Sequence, residues 1–306
     1  MVLRIATRRT PLALAQYEEV VRRLHALDPA LKIELLALST RGDETLDRSL
    51  APLGGKGLFI SALEDALTQG RADCAVHSLK DVPVTLDPRF EILAILPRGN
   101  PHDCLIGAGA LGDLPAGARI GTSSLRRQSQ ILARRPDVRV EPVRGSVGSR
   151  LDRLARGDFE ALVLARAGLE RLGSSRLGMD PGQATVLGTE ESVPAIGQGA
   201  LAIECLSSRT EALRVFAALD DPQTAACVMA ERAFGAGFGV DCTAPVGAFA
   251  RPADGGAYTL LAYAGSADGH HSYRDSLSGR EPDALGRKLA QRFHEQGIRH
   301  FITQTP

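Results

Sequence analysis

The sequence predicts an α/β protein with two doubly wound lobes followed by a small α+β domain at the C-terminus. Two observations support this prediction. The order strand, helix, strand, helix, strand occurs twice along the chain, and each copy is long enough for one parallel sheet with helices on both faces. From Asp221 onward the alternation stops, and one helix, three strands and another helix follow instead. Each repeat therefore predicts one lobe.

Length and composition agree with several compact domains. The chain has 306 residues, of which 44% are hydrophobic and 24% charged, as in globular proteins. We predict a first lobe from residues 1–97 and 196–217, a second lobe from residues 98–195, and a C-terminal domain from residues 218–306.

The first lobe begins with a strand and a helix whose start is well marked. Thr10 is a typical N-cap residue, and Pro11 suits the first helical position. Apolar residues at steps of three and four then predict the buried face of that helix. The predicted strands of this lobe are Leu3–Thr7, Ile33–Leu38 and Cys74–Val76. Its second helix is predicted at Leu58–Gln69.

The second lobe repeats the pattern. Residues 119–122 (RIGT) resemble residues 4–7 (RIAT), and each segment leads into a helix. The further predicted elements are a strand at Val138–Val143, a helix at Val147–Arg156 and a strand at Ala161–Ala165. Gly199–Cys205 is a further strand that is expected to return to the first lobe.

The C-terminal domain is predicted to mix helices and strands without alternation. Its predicted elements are a helix from Asp221 through Phe234, strands near Val246–Arg251, Tyr258–Ala264 and Ser272–Leu277, a helix at Pro282–Glu295 and a last short strand.

Charge and hydropathy argue against several function classes. The formal net charge is zero, which disfavours nucleic acid or a membrane surface as the main partner. No apolar run approaches the ~20 residues of a membrane span. The N-terminus, MVLRIATRRT, has no apolar signal-peptide core, so we expect a cytoplasmic protein.

The cysteines indicate neither a disulfide framework nor a metal site. None of the five forms a C-x-x-C pair, and no histidine has metal-ligand spacing from one. Three of them lie in strand or helix runs and are expected to be small buried hydrophobic residues. Cys242 differs, because it lies in a loop between glycine-rich residues and Pro245.

Arginines and hydroxyl groups cluster where strands of the second lobe end. Residues 121–127 (GTSSLRR) place three hydroxyls at a helix start and two guanidiniums one turn later, which suits an anion. The alternative is an ordinary N-cap with solvated arginines. Residues 144–150 (RGSVGSR) again follow a strand, and Arg8 and Arg9 take the corresponding place in the first lobe. Together these segments suggest a cleft for a ligand with several carboxylates or phosphates.

The segment HSLKDVP, residues 77–83, carries the candidate acid of the first lobe. Asp81 could end a strand at a turn, or be the carboxylate of a cationic pocket that stabilises a cation or moves protons. His77 lies in the strand end and is expected to be a core histidine. Lys56, in GGKG, is either a contact from a mobile loop or a solvated loop residue.

Six ordered motifs resemble those of the porphobilinogen deaminase (hydroxymethylbilane synthase) family. They are ATRRTPLALAQ, GGKGLF, HSLKDVP, GTSSLRRQ, IGQGALAIEC and a Cys-x-x-Pro-x-Gly loop, and they extend through Gly247. The resemblance implies two periplasmic-binding-protein-like lobes and a small α+β domain. It also implies a monomeric, metal-free transferase of tetrapyrrole (haem) biosynthesis. Such an enzyme joins four porphobilinogens on a covalent dipyrromethane cofactor, with loss of ammonia, and releases hydroxymethylbilane by hydrolysis.

The resemblance also implies roles for individual residues. Asp81 and Lys80 match the catalytic positions, and Cys242 matches the cysteine that forms the thioether. The other positions matching cofactor-binding residues are Ser78, Thr122, Ser124, Arg126, Arg127, Arg144 and Gly145. The positions matching substrate-binding residues are Arg8, Thr10, Gln16, Phe59, Ser123, Arg150, Arg171 and Gln198.

Two positions depart from the family pattern. Val240 and Asp241 precede Cys242, where a small residue and glycine are usual, and a neighbouring carboxylate disfavours a thiolate. Ser146 replaces the usual asparagine after Gly145. Two other functions stay open: a two-lobed binding protein, which the two lobes alone would suggest, and a deaminase-like paralogue that binds pyrrole carboxylates without turnover, which Asp241 keeps open.

Overall fold

The computed structural model describes residues 2–40, 60–239 and 244–303. The chain divides into two compact units. The first unit comprises Met1–Gly99 and Ala200–Ala225, and the second comprises Asn100–Gly199 and Ala226–Pro306. The predicted positions Lys56, Phe59, Val240, Asp241 and Cys242 lie outside the described residues.

The strands of the described residues are β1 (Val2–Arg8), β2 (Lys32–Leu38), β3 (Cys74–Ser78), β4 (Phe90–Ile95), β5 (Asp103–Ile106), β6 (Arg119–Gly121), β7 (Arg139–Glu141), β8 (Ala161–Ala165), β9 (Thr185–Leu187), β10 (Leu201–Leu206), β11 (Val246–Ala253), β12 (Ala257–Gly265) and β13 (Ser272–Gly279). The α-helices are α1 (Pro11–Leu27), α2 (Ser61–Thr68), α3 (Leu125–Arg134), α4 (Val147–Ala155), α5 (Arg166–Leu177), α6 (Pro222–Phe238), α7 (Pro282–Glu295) and α8 (Arg299–Thr303).

The first unit contains a five-stranded sheet in the order β2-β1-β3-β10-β4. β1 runs parallel to β2 and β3, whereas β10 is antiparallel to β3 and β4. Alternate residues of β1 face different cores: Leu3 and Ile5 pack in the cluster that contains α1, and Ala6 packs with α2. Both faces of the sheet are therefore covered, as the doubly wound prediction requires.

The second unit contains a sheet of the same design, in the order β7-β6-β8-β5-β9. Its antiparallel strand is β5, which lies between β8 and β9. Along β8, Val163 and Leu164 again belong to cores on opposite faces. The same unit carries an antiparallel three-stranded sheet, β11-β12-β13, packed with α6 and α7 around Phe234, Phe238 and Phe293. The predicted fold class is confirmed.

Several elements agree with the sequence prediction in detail. Thr10 is the N-cap of α1, where its Oγ1 accepts a hydrogen bond from Ala13 N at 3.3 Å, and Pro11 is the first helical residue. The strand predicted at Gly199–Cys205 is observed as β10 in the sheet of the first unit. The three-part division into residues 1–97 with 196–217, 98–195 and 218–306 stays a prediction.

The last predicted strand is wrong, because residues 299–303 form the helix α8. Gly297 adopts φ 67°, and His300 N and Phe301 N donate to Gly297 O and Ile298 O, which starts a helical turn. A short apolar run of this length does not distinguish a helix from a strand. β4, β5, β9 and α5 were not predicted. No helix in the described parts of the chain is long and apolar enough to cross a bilayer.

Candidate active site

The turn that carries Asp81 follows directly from a buried strand. β3 ends at Ser78, and residues 79–81 form one 3₁₀ turn. Leu79 is buried, its N–H donates to Ala200 O at 3.0 Å, and Val82 N closes the turn on Leu79 O at 3.1 Å. This anchoring fixes the backbone from which the Asp81 side chain projects.

Arg8 and Asp81 lie next to each other in the first unit. Arg8 Nη1 is 3.6 Å from Asp81 Oδ2, and both side chains keep partial contact with solvent. Arg8 reaches this position because it is the last residue of β1, which runs parallel to β3. The strand ends therefore place one of the predicted arginines beside the predicted catalytic carboxylate.

Gln16 connects helix α1 to the same strand end. Its side chain is buried, and its Nε2 donates to Ser78 Oγ at 2.7 Å. This bond orients the Ser78 hydroxyl. Lys80, the other predicted catalytic residue, lies in the turn between Ser78 and Asp81 and is partly buried.

His77 is a core residue, as predicted. Its Nε2 lies 2.9 Å from Glu204 Oε2, and both side chains are excluded from solvent. Glu204, on β10, was missed as a partner, although it lies within the motif IGQGALAIEC. The other carboxyl oxygen of Glu204, Oε1, has no hydrogen-bond partner among the described residues.

The two arginines of the GTSSLRR segment are buried against a carboxylate in the second unit. Arg126 and Arg127 are 4% and 7% exposed, and Asp103 is 0% exposed. Arg126 Nη1 and Nη2 donate to Asp103 Oδ2 and Oδ1 at 2.7 and 3.1 Å, and Arg127 Nε donates to Oδ1 at 2.9 Å. The structure thus differs from the alternative of solvated arginines beside an N-cap. Ser124 is the N-cap residue of α3, but its side chain makes no capping hydrogen bond.

Asp103 also accepts hydrogen bonds from two neutral side chains. Ser192 Oγ donates to Oδ2 at 2.7 Å, and Gln198 Nε2 donates to Oδ1 at 3.0 Å. Arg126 Nη1 also donates to Val193 O at 2.6 Å, and Arg127 Nη1 donates to Val163 O at 2.9 Å. Buried polar groups are stable when they are hydrogen-bonded in this way.

Electrostatics in this network favour ionised groups on both sides. Burial would raise the pKa of Asp103, but its ion pairs with Arg126 and Arg127 hold that pKa well below its usual range. For Arg126, burial lowers the pKa from its ordinary value, and the nearby Asp103 opposes that effect. In the sequence, Asp103 is only a charged residue at the start of an apolar run, so no pattern pointed to its role.

The predicted arginines at residues 144–150 form a second cationic group near Arg127. Burial, and then the neighbouring Arg127 and Arg144, lower the pKa of Arg150 to about 10. Arg150 Nε donates to Gly145 O at 3.0 Å. Gly145 has φ 102°, and a Cβ there would collide with Ser149 Oγ, so this turn requires glycine.

The hydroxyl groups near these arginines contact the backbone. Ser123 Oγ donates to Val143 O at 2.9 Å, and Thr122 Oγ1 accepts from Ser124 N at 3.2 Å. Ser146, the residue that departs from the family pattern, caps α4 by accepting from Ser149 N at 3.2 Å. Serine at position 146 therefore still supports the start of α4.

Arg171, another of the predicted substrate-binding residues, is hydrogen-bonded to the backbone. Its Nη2 donates to Gly199 O at 2.8 Å.

The cysteines that the structure describes are all buried, and no disulfide joins any two of them. They are Cys74, Cys104, Cys205 and Cys227. Burial raises the pKa of Cys74, Cys104 and Cys205, to about 12 for Cys104. Thiols in such surroundings are poor nucleophiles.

Two family models match the chain. The model described as porphobilinogen deaminase, dipyromethane cofactor binding domain, matches residues 3–214, and the porphobilinogen deaminase C-terminal domain matches residues 225–295. Curated relatives include the porphobilinogen deaminase of Xanthomonas euvesicatoria pv. vesicatoria, 45% identical over 305 residues that cover 99% of both chains. The porphobilinogen deaminase of Bordetella parapertussis is 48% identical over 294 residues, covering 94% of this chain and 91% of the relative.

The solved structures whose backbones align with this chain have much lower sequence identity to it than the curated relatives. A periplasmic substrate-binding protein of an ABC transporter from Coxiella burnetii aligns with a TM-score of 0.42 and 14% identity, over 73% of this chain and 94% of its own. The periplasmic aliphatic sulphonate binding protein SsuA from Escherichia coli aligns with a TM-score of 0.40 and 12% identity, over 100% and 92%.

Proposed function

The chain belongs to the porphobilinogen deaminase family, and we propose that it is a hydroxymethylbilane synthase. This transferase joins four porphobilinogens with loss of four ammonia molecules and releases the linear tetrapyrrole hydroxymethylbilane with water. The product enters tetrapyrrole and haem biosynthesis. The two-lobed binding protein and the inactive paralogue are not favoured, because near-full-length relatives are named as the deaminase at 44–48% identity.

The observation that carries the proposal is the group of like charges around Arg150. Burial lowers the pKa of Arg150 most, and the like charges of Arg127 and Arg144 lower it further, so these guanidiniums repel one another when no anion lies between them. Porphobilinogen carries an acetate and a propionate, and each pyrrole of dipyrromethane carries the same two groups. A carboxylate bound here would relieve the repulsion, so the residues present fit an anionic dipyrrole.

Dipyrromethane, when bound, supplies the pyrrole carbon to which substrate is joined. We propose that Cys242 holds it through a thioether. The four described cysteines support this choice, because all four are buried. The other proposed cofactor-binding residues are Ser78, Lys80, Asp81, Thr122, Ser124, Arg126, Arg127, Arg144 and Gly145.

Asp81 is proposed as the catalytic carboxylate. When a porphobilinogen loses ammonia, the C–N bond breaks with both electrons leaving on nitrogen, and a cationic methylene-pyrrolenine remains. A partly exposed carboxylate on a fixed turn can accept a hydrogen bond from the pyrrole N–H and stabilise that cation. Lys80, which precedes Asp81 in the chain, is the proposed second catalytic residue and would bring an ammonium beside this carboxylate.

The proposed substrate-binding residues are Arg8, Thr10, Gln16, Phe59, Ser123, Arg150, Arg171 and Gln198. In the first unit, Gln16 would act by orienting Ser78, and Arg8 would meet a substrate carboxylate while it stays close to Asp81. We further propose that the enzyme is a cytoplasmic monomer that uses no metal and binds neither nucleic acid nor membrane.

Two measurements on the purified protein test the proposed function. Intact mass spectrometry is expected to show a covalent dipyrromethane, and incubation with porphobilinogen is expected to yield hydroxymethylbilane. A protein without the adduct and without the product would refute the proposal. An adduct without product would indicate the inactive paralogue.

A further inference from the structure

Asp103 lies at the centre of the arginine network of the second unit, although no sequence motif pointed to it. It is the first residue of β5 and is fully excluded from solvent. Four side chains donate to its two oxygens: those of Arg126, Arg127, Ser192 and Gln198. Three of these four residues are proposed ligand contacts, so the carboxylate touches the binding residues directly.

The network leaves one positive charge unbalanced. Arg126 and Arg127 are adjacent in sequence and both contact Asp103, so two guanidiniums share one carboxylate. Without Asp103 the pair would carry two charges in a buried setting, where they interact strongly. After the larger effect of burial, the charge of Arg127 also lowers the pKa of Arg150, a proposed substrate contact. The charge of the arginine pair therefore also affects the proposed ligand site.

The proposed reaction places opposing demands on such a site. Each condensation adds a pyrrole with two new carboxylates. The carboxylates of the pyrroles already bound must therefore be able to dissociate from the arginines that hold them. A site with more positive charge would hold a carboxylate more tightly and release it more slowly, because affinity differences of this kind are mostly differences in dissociation rate.

We propose that Asp103 is a positioning residue that fixes Arg126 and Arg127 and reduces the net charge of the three side chains to +1, so that a pyrrole carboxylate can be both bound and released. This inference rests on the proposed function. Asp103 itself does not meet substrate, because its oxygens are occupied by protein donors and its side chain is inaccessible.

The test compares Asp103→Asn with Asp113→Asn, the same substitution at an exposed position of the same unit. In a Cys242→Ser background, porphobilinogen binding is measured by calorimetry. We expect Asp103→Asn to lower the Kd by roughly tenfold, the effect of about 1.4 kcal/mol, and Asp113→Asn to leave it nearly unchanged. In the cofactor-loaded enzyme, Asp103→Asn is expected to lower both KM and kcat.

A merely structural role predicts a different result. Disordered arginines would bind porphobilinogen less tightly, so a higher Kd and a higher KM in Asp103→Asn would overturn the proposal. An unchanged Kd and unchanged kinetics would also overturn it. If the parent protein carries no adduct and forms no product, the proposed function fails instead, which separates the two failures.

A charge-restoring double variant keeps the test decisive if Asp103→Asn does not fold. In Arg126→Met the charges of Arg127 and Asp103 cancel, so the net charge of the network falls from +1 to zero. This variant is expected to raise the KM for porphobilinogen by roughly tenfold. Asp103→Asn combined with Arg126→Met returns the charge to +1 and replaces a buried ion pair by neutral groups, which is often tolerated. We expect the double variant to recover most of the lost affinity; no recovery would refute the role of Asp103.

Discussion

Arg8 Nη1 lies 3.6 Å from Asp81 Oδ2, and the two side chains are 22% and 31% exposed. The Arg8 and Asp81 side chains are therefore close to each other and are both partly exposed to solvent. The distance exceeds that of a tight, charge-assisted hydrogen bond, which is usually below 3 Å. Because the turn that carries Asp81 is anchored by Leu79, the carboxylate is held in place and still accessible to a ligand.

Asp81→Asn is expected to reduce turnover by on the order of 100-fold, because an amide of the same shape cannot supply the negative charge that stabilises a cation. The covalent adduct and the thermal midpoint of unfolding are expected to stay close to those of the parent. Product formation and intact mass measure the two effects. Asp87→Asn, at a solvent-exposed position that pairs with Arg89, is the matched control. Near-normal turnover in Asp81→Asn would make Asp81 a turn residue only.

His77→Phe is expected to destabilise the first unit. The substitution removes the hydrogen-bond partner of the buried Glu204 carboxyl group, which costs about 1–3 kcal/mol. His25→Phe, at an exposed position of α1, is expected to change the unfolding free energy by less than about 0.5 kcal/mol. Urea unfolding of both variants measures the difference. Equal stabilities would show that the His77–Glu204 contact contributes little.

Local signals were predictable from the sequence, and long-range partners were not. Thr10 and Pro11 mark the start of α1 through their own backbone and side-chain preferences, so no tertiary information was needed. His77 was assigned to the core from the apolar run around it, but its partner Glu204 is 127 residues away. Only the antiparallel pairing of β10 with β3 brings the two together.

Asp103 shows the same limit within the candidate site. The sequence identified Arg126 and Arg127 as a pair suited to an anion, and it left their partner open between a ligand and solvent. The partner in the structure is a protein carboxylate from the unpredicted strand β5. A four-residue run, DCLI, is too short to be assigned by periodicity, so the charge that balances these arginines was not visible.

Arg127→Leu is therefore expected to affect stability as well as cofactor loading. From the motif alone, loss of this arginine should impair assembly or elongation more than folding. Its burial against Asp103 predicts an additional loss of about 3–5 kcal/mol, because part of the balance of a buried charge is removed. Arg139→Leu, at an exposed position in the same unit, is the control. Urea unfolding and intact mass separate the two effects, and an unchanged unfolding free energy would contradict the buried network.

The ion pairs of Asp103 predict a loss of stability in acid. The pKa of this carboxyl is lower in the folded than in the unfolded chain, so the folded state binds its proton less readily. Its stabilising effect is fully present above the ordinary pKa near 4 and is lost as the pH falls below it. Asp103→Asn should therefore flatten the fall of unfolding free energy between about pH 4 and pH 2. Parallel pH profiles for parent and variant would argue against ionised Asp103.

Cys242→Ser is expected to remove the covalent adduct and the enzyme activity together, whereas Cys205→Ser and Cys227→Ser keep both. Cys205 and Cys227 lie in the hydrophobic cores, where a thiol is not accessible. Cys242 is the cysteine that matches the family attachment position, and the carboxylate of Asp241 precedes it in the chain. An adjacent carboxylate disfavours a thiolate, yet the finished thioether is uncharged, so Asp241→Gly is expected to keep the adduct and to form it at least as fast. Intact mass of each variant, followed over time after cofactor-free protein is mixed with porphobilinogen, measures both yield and rate. A dipyrromethane on another cysteine, or full activity in Cys242→Ser, would refute the assignment.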